Sequence, residues 1–113
     1  EAALRDKKLL KKRNSHLKYI DTSLMYYVYV LHSQKDSNLY TGYTNNLKRR
    51  FHEHNSGKTI SIKHRRPFDL IYYESYLYKK DAQNREIFLK SGRGKSYLKK
   101  QMKNYFKENP WFC

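Results

Sequence analysis

Hydrophobic and polar residues alternate in different ways along the chain, and three stretches have the aromatic and β-branched character of strands. Residues 26–31 form the first such run, and residues 39–44 form the second. The polar residues 34–38 between them are rich in turn-forming Ser, Asn and Asp. The two runs are therefore predicted to pair as an antiparallel hairpin. Residues 68–76 predict a third strand.

Three other stretches have helical spacing and helical start or stop signals. The predicted helices cover 47–55, 79–91 and 96–106, and a basic loop covers 58–67. Either Asn45 or Asn46 can cap the first helix, and Gly57 follows its end. Gly92 is predicted to close the second helix, and Pro110 follows the third. The predicted order of elements is β-β-α-β-α-α.

The beginning of the chain differs from the rest. Residues 1–24 hold seven Lys or Arg and three acids, a net charge of +4, without a clean apolar stripe. Met25 directly precedes the first predicted strand, so 1–24 is predicted to be a basic extension upstream of a natural start. The domain is then expected over 25–107, with a short C-terminal tail over 108–113.

Charge narrows the class of partner. The 113 residues include 25 Lys and Arg against 10 Asp and Glu, which leaves a formal net charge of +15. So many like charges on one chain repel each other, which favours a polyanionic partner, and nucleic acid is the first candidate. A membrane surface is the second, but it would need an amphipathic or lipidated element to hold the protein there.

Other compositional features set the expected compartment. Cys113 is the single cysteine, which excludes an internal disulfide and a cysteine-based zinc site. No run approaches the roughly 18 apolar residues of a membrane span. Residues 1–24 lack the apolar core of a secretory signal. We therefore expect a cytoplasmic protein with no membrane partner.

Two polar residues share the apolar face of the first predicted helix. Leu47, Arg50, Phe51 and His54 stand at i, i+3, i+4 and i+7, so Arg50 and His54 are predicted to lie against the sheet. The alternative is that Arg50 extends its charge to solvent from the edge of the stripe. Spacing alone leaves both interpretations open.

The second predicted helix has a similar irregularity. Glu86 lies in line with Ala82 and Leu89, so its carboxylate needs a cation, a donor or a proton. An ion pair with Lys90 at i+4 is the alternative explanation. Spacing alone favours that pair.

The tyrosines and one glycine also need an explanation. The chain has 12 Tyr against five Phe, so many hydroxyls require partners, although aromatic residues on strands usually pack against neighbours. Gly42, within the second predicted strand, indicates a bulge or a close approach of the backbone.

These segments together resemble the GIY-YIG nuclease domain. Its two signature triplets resemble Tyr27-Val28-Tyr29 and Tyr40-Thr41-Gly42, and Tyr40 lies eleven positions after Tyr29. Residues 46–57 resemble its helix with the arginine, here Arg50. Residues 82–98 resemble its acidic helix with the metal-binding glutamate, here Glu86. The resemblance covers about 26–106.

The chain departs from the family pattern at a few positions. Tyr27, Val28 and Thr41 replace residues of the triplets, and Tyr43 stands where the family often has lysine. The small, single-domain members commonly vary the first triplet in this way. The chain is also similar to the N-terminal catalytic domain of the bacterial excision-repair incision subunit.

The resemblance implies a fold and an activity. The fold would be a small α+β domain, with a three-stranded antiparallel sheet flanked by helices. The activity would be metal-dependent endonucleolytic hydrolysis of DNA, including branched or single-stranded DNA, with a role in repair or recombination. Sequence specificity is expected to be weak or to come from a separate recognition protein. The alternative is a basic nucleic-acid-binding module that has the same fold and does not cleave. A basic protein bound to a membrane surface or a ribosome is a third interpretation.

The resemblance also implies roles for individual residues. Glu86 would hold one Mg²⁺ or Mn²⁺, and Arg50 would neutralise the scissile phosphate. Tyr40 would act as general base, with Tyr29 and His54 orienting the water or relaying the proton. Gly42 would let backbone and substrate approach each other. The residues predicted to contact nucleic acid are Tyr43, Lys58, Lys63, Arg65, Arg66, Arg93 and Lys95.

Overall fold

The computed structural model describes residues 22–111. After a 3-10 turn at Thr22–Leu24, the elements are β1 (Tyr26–Ser33), β2 (Leu39–Thr44), α1 (Leu47–Asn55), a 3-10 helix (Ile60–Arg65), β3 (Phe68–Tyr76), α2 (Lys79–Lys90), α3 (Gly92–Gln101) and α4 (Lys103–Glu108). The predicted α+β fold and its strand-helix order are therefore confirmed. Most of the predicted extension, residues 1–21, lies outside the described residues.

The three strands form one antiparallel sheet in the order β2-β1-β3. Because β1 is central, its alternating side chains are buried on both faces of the sheet. Tyr26, Val28 and Val30 pack against α2 and α3, and we call this side the helix-pair face. Tyr29 and Leu31 point to the other side, which we call the α1 face because α1 contributes to its core.

The end of the sequence folds differently from its prediction. The third helix was predicted over 96–106, but α3 begins at Gly92 and a break at Met102 separates it from α4. Ser91 caps α3 by accepting a hydrogen bond from the amide of Gly94. A Cβ added at Gly94 would lie 2.6 Å from Leu89 Cα. This glycine therefore allows close packing of α3 on α2.

The segment predicted as a basic loop contains the 3-10 helix Ile60–Arg65, and Ile62 anchors it in the core of the α1 face. At the other end of the structure, Trp111 is buried and its indole nitrogen donates to Asn38. Within residues 22–111, no helix is both long enough and apolar enough to cross a membrane.

Candidate active site

Tyr29 is the centre of the candidate site, and Gly42 makes room for it. The two residues are directly paired between β1 and β2, and Tyr29 is 2% exposed. A Cβ at Gly42 would lie 2.6 Å from Tyr29 Cζ, so any larger residue would displace the tyrosine ring. The close approach predicted at Gly42 is therefore present, and the group that approaches its backbone is the ring of Tyr29.

The alternative prediction of a bulge at Gly42 is wrong. Pairing of β1 with β2 continues through Gly42 without a shift in register. The irregularity of this sheet lies between Val30 and Leu31, in the pairing of β1 with β3.

Three rings from three elements meet on the α1 face. The ring centroid of Tyr40, on β2, lies 6.4 Å from that of Tyr29 and 5.1 Å from that of His54, on α1. The hydroxyl of Tyr29 is hydrogen-bonded to His54 Nε2 at 2.7 Å. The predicted helix face, with His54 turned toward the sheet, is thereby confirmed.

His54 is enclosed on all sides and held at both ring nitrogens. Its side chain has no exposed surface, and its Nδ1 lies 2.8 Å from the hydroxyl oxygen of Thr59. Burial and the nearby positive charge of Arg50 lower the pKa of His54 to about 4. The imidazole is therefore neutral at physiological pH.

Arg50 lies at the solvent edge of the same helix face. Its side chain is 35% exposed, and its Nη1 donates to Glu53 Oε1 at 3.0 Å. This hydrogen bond holds the pKa of Glu53 below its ordinary value. Arg50 thus has both predicted properties: it belongs to the inward face and it extends its charge toward water.

Glu86 approaches the site from α2, which packs across β1 and the edge strand β2. Its side chain is 21% exposed and its Oε2 lies 3.1 Å from Lys90 Nζ. The ion pair with Lys90, considered above as an alternative, is thus present. Neighbouring Ile87 is 69% exposed, so the surroundings of Glu86 are less apolar than the spacing predicted.

The pKa of Tyr29 is affected by three neighbouring groups of the site, Tyr40, Arg50 and Glu86. Burial and the neighbouring phenol of Tyr40 raise the pKa of Tyr29, while the cation of Arg50 opposes that rise. The carboxylate of Glu86 contributes a further increase. Tyr29 therefore remains protonated at physiological pH and lies within electrostatic reach of Arg50 and Glu86.

Comparison with known proteins identifies the family of the chain. A family model described as the GIY-YIG catalytic domain matches residues 25–102. The chain belongs to the GIY-YIG family. A UPF0213 protein of Pediococcus acidilactici is 45% identical over 87 residues, which cover 74% of this chain and 83% of that protein. A UPF0213 protein of Clostridium perfringens is 45% identical over 67 residues, 58% of this chain and 71% of the relative.

One solved structure is also similar. The solution NMR structure of a UPF0213 protein from Bacillus halodurans is 35% identical and covers 69% of this chain and 85% of its own, with a TM-score of 0.45. The names of these GIY-YIG relatives state no activity.

The donor set can be compared with the metal that GIY-YIG chemistry implies. Within residues 22–111, no three His, Cys, Asp or Glu side chains converge on one point. A lone carboxylate does not suit zinc, which prefers four nitrogen or sulfur ligands. It does suit Mg²⁺, which keeps several waters and uses one or two carboxylates. Glu86 therefore fits a magnesium-type ion, with Lys90 as its present counter-charge.

A shallow cavity of about 210 Å³ opens beside Tyr40. Lys90, Lys95 and Trp111 line it together with backbone and side chains of β2. The cavity therefore joins one GIY-YIG tyrosine to two cationic side chains.

The residues predicted to contact nucleic acid have different environments. Five of them are exposed, namely Lys58, Lys63, Arg66, Arg93 and Lys95. Tyr43 instead packs against the core of the helix-pair face. Arg65 is 18% exposed and donates to Asp36 at 2.6 Å, so its charge is already paired within the protein. These two residues have structural contacts that the sequence did not indicate.

Sequence reasoning also missed partners of the site residues. Glu53 stands three residues after Arg50, a spacing that could have predicted their ion pair. Thr59 lies outside α1, and no periodic pattern connects it to His54. Its contact depends on the turn after α1, where Gly57 adopts a φ of 85°.

Proposed function

We propose that this GIY-YIG protein is a metal-dependent endonuclease that hydrolyses phosphodiester bonds in DNA. The observation that carries the proposal is the convergence of Tyr29, Tyr40 and His54 in one cluster, with Arg50 and Glu86 in electrostatic reach of it. These residues come from four separate elements. A packing role would explain the rings, whereas the two charged groups have partners on their own helices, Glu53 and Lys90, which a phosphate and a metal ion can replace.

The charged groups suit a phosphodiester substrate. Arg50 offers a planar guanidinium at the solvent edge, where it can leave Glu53 and donate two hydrogen bonds to a phosphate. Glu86 would hold the divalent ion. When bound, that ion would supply positive charge to the phosphate and to the leaving oxygen.

The two tyrosines suit different tasks. Tyr29 is buried and its raised pKa keeps its proton, so it serves as a hydrogen-bond donor or acceptor that orients other groups. Tyr40 is half-buried, so its hydroxyl is less enclosed than that of Tyr29. We therefore assign proton removal from the attacking water to Tyr40.

The test is single-turnover cleavage by the purified full chain. Plasmid and a panel of single-stranded, duplex, flapped and branched DNA are incubated with Mg²⁺ or Mn²⁺. Tyr40→Phe removes one hydroxyl and should lower the cleavage rate by roughly 10²–10⁴-fold. Tyr78→Phe is the matched control, because its ring is exposed at the start of α2 and lies outside the site.

Two outcomes would contradict the proposal. If the purified wild-type protein cuts none of these substrates with either metal, the nuclease assignment is wrong. If wild type cuts and Tyr40→Phe matches it, proton removal must be assigned to another residue.

A second function is favoured by one observation. Arg50 and Glu86 each form an ion pair with a residue of the same helix, Glu53 and Lys90 respectively. A basic module that binds nucleic acid without cleaving it would tolerate these pairs. Such a module would bind DNA with an affinity that falls steeply with salt, as phosphate neutralisation requires, and would show no metal-dependent cleavage.

A further inference from the structure

A groove between α1 and β3 lies on the α1 face beside Tyr29. Its volume is about 490 Å³, within the range of roughly 300–1,000 Å³ that is typical of sites for small molecules. Tyr27, Phe51 and Tyr73 contribute three aromatic rings to its lining. The groove borders the candidate active site, because Tyr73 of β3 pairs directly with Tyr29 of β1.

Tyr73 is the most exposed of the three rings. Its side chain is 54% exposed, and it meets Tyr27 edge-on, with the ring centroids 6.0 Å apart and the ring planes at 60°. A single exposed tyrosine would need no explanation. Three rings around one groove, however, form an apolar surface on which another flat ring can stack.

The charge of the groove favours a nucleobase as that flat ring. Lys48 lines the groove and is exposed, and none of the described residues of the lining is acidic. A nucleotide joins a flat base to a phosphate, so it would use both the rings and the cation. Asn45, also exposed in the lining, has an amide that can donate to and accept from the edge of a base.

We propose that this groove binds an unpaired nucleobase of the DNA substrate, with Tyr73 as the ring on which the base stacks and Lys48 as a contact to its phosphate. The choice of DNA as the ligand rests on the proposed function. A base within a continuous duplex would have to leave its partner and its stacked neighbours to enter, which costs free energy. The groove therefore selects single-stranded, flapped or branched DNA over continuous duplex.

Binding without metal tests the groove independently of cleavage. The purified full chain is titrated with single-stranded DNA of alternating thymine and 2-aminopurine, whose fluorescence falls when the base stacks on an aromatic ring. We expect the wild-type protein to quench this fluorescence and to bind the single strand more tightly than a continuous duplex of the same length. Binding of the single strand with unchanged fluorescence, or tighter binding of the duplex, would overturn the proposal.

Substitutions of Tyr73 test the stacking ring. Tyr73→Ala should weaken single-strand binding by at least about 5-fold, as loss of one base–aromatic stack does, and should leave the affinity for duplex unchanged. Tyr73→Phe keeps the ring and should keep both affinities. Tyr78→Ala is the matched control, because Tyr78 is another exposed tyrosine and lies outside the groove. An equal loss for single strand and duplex in Tyr73→Ala would refute the stacking role.

Lys48→Met provides a second test on a different element. It should make the logarithm of single-strand affinity less steep against the logarithm of salt concentration, by about 0.7 for one lost phosphate contact, whereas Tyr73→Ala should leave this slope unchanged. Lys80→Met, on the exposed start of α2, controls for the loss of one positive charge. The same change of slope in both lysine variants would refute the phosphate contact of Lys48.

The groove and the proposed function can fail separately. If the wild-type protein cleaves no substrate but quenches 2-aminopurine through Tyr73, the nuclease assignment is wrong and the groove stands. If the protein cleaves DNA and Tyr73→Ala binds single strands as wild type does, the groove assignment is wrong and the nuclease stands.

Discussion

Two glutamates with similar exposure have different partners in this protein. The side chain of Glu74, on β3, is 17% exposed, and that of Glu86, on α2, is 21% exposed. Both oxygens of Glu74 accept from Arg85, at 2.9 and 3.0 Å, and the hydroxyls of Tyr72 and Tyr76 donate to it as well. Glu86 is paired with Lys90, a flexible side chain that is 55% exposed.

The difference separates a structural carboxylate from one that can bind. The oxygens of Glu74 are surrounded by fixed donors, and Arg85 is itself held over the rings of Phe88 and Tyr97. This cluster joins α2 to β3 and leaves little capacity for a ligand. Glu86 keeps oxygen lone pairs that a metal ion can use once Lys90 moves away. Exposure therefore does not distinguish the two residues, whereas their hydrogen-bond partners do.

Replacing Glu86 by Gln should have the largest effect on activity. The substitution keeps the size of the side chain and removes the charge that would hold the metal. We expect single-turnover cleavage to fall by at least about 10³-fold, because the metal's stabilisation of the phosphate is lost. DNA binding should be unchanged or slightly stronger, since one repulsive carboxylate is gone. Gel-shift titration with the same substrates measures the DNA-binding affinity.

Glu74→Gln is the matched control for this experiment. Assayed under conditions where it is folded, it should keep a cleavage rate within a few-fold of wild type, because Glu74 is not among the groups that meet Tyr29. A Glu74 variant that folds and fails to cut, beside an active Glu86→Gln, would reverse the assignment of the two carboxylates.

Glu74→Gln should instead have the larger effect on stability. It leaves the guanidinium of Arg85 without its charge partner in a half-buried position, and breaking such a pair lowers the free energy of unfolding by about 2–4 kcal/mol. Glu86→Gln should change it by less than about 1 kcal/mol. Urea unfolding of both variants measures the difference.

A double-mutant cycle shows whether the effect belongs to the pair. If Arg85→Met and Glu74→Gln each destabilise, the double variant should be more stable than the sum of the two effects predicts. Strict additivity would mean that Glu74 acts through its tyrosines and not through Arg85.

The sequence contained enough information for most of the fold. Strand periodicity predicted β2 and β3 with their observed bounds, and cap residues predicted α1. The start of α3 was predicted wrongly, because tertiary packing decides which residue is needed there. Gly92 and Gly94 resemble helix-ending signals locally, but Gly94 is needed inside α3 because Leu89 is too close for a side chain. A propensity argument does not include that contact.

The candidate site was predictable to a similar extent. Helical spacing turned His54 toward the sheet, and the apolar line through Ala82 and Leu89 singled out Glu86. Glu74 attracted no attention, although alternation places Tyr72 and Tyr76 on its face of β3, because nothing in the strand reveals that Arg85 meets it. Arg85 lies on another element and reaches Glu74 through the packing of α2 on β3. Contacts of this kind between elements explain the missed contact of Thr59 as well.

Acid should destabilise the two polar clusters in different pH ranges. The folded-state pKa of His54 is about 4, below the ordinary value near 6.5, so the unfolded state binds more protons between these values. The free energy of unfolding should therefore fall by about 2–3 kcal/mol as pH falls from 6.5 to 4. Comparing the slopes of wild type and His54→Gln in urea unfolding isolates this contribution.

The Glu74 cluster should respond only at lower pH. Desolvation would raise the pKa of Glu74, but hydrogen bonds from Arg85, Tyr72 and Tyr76 hold it below its ordinary value. Its contribution to stability is thus fully present above the unfolded pKa of about 4.3 and is lost as pH falls through the lower folded value.

One outcome would contradict the prediction for His54. If the free energy of unfolding falls equally steeply with pH in wild type and His54→Gln between pH 6.5 and 4, His54 is not buried as a neutral group.

The smallest expected effect concerns Lys90, the counter-charge of Glu86. Lys90→Met keeps the length of the side chain and removes the cation that competes with a metal for the carboxylate. Because Lys90 is more than half exposed, the pair is weak, and Mn²⁺ affinity should rise by only about 2- to 5-fold. Lys80→Met, on the exposed start of the same helix, controls for the general loss of one positive charge. Calorimetric titration of both variants with Mn²⁺ compares them. An increase in Lys90→Met no greater than in Lys80→Met would mean that Lys90 does not restrain Glu86, and Mn²⁺ binding that survives Glu86→Gln would place the metal elsewhere.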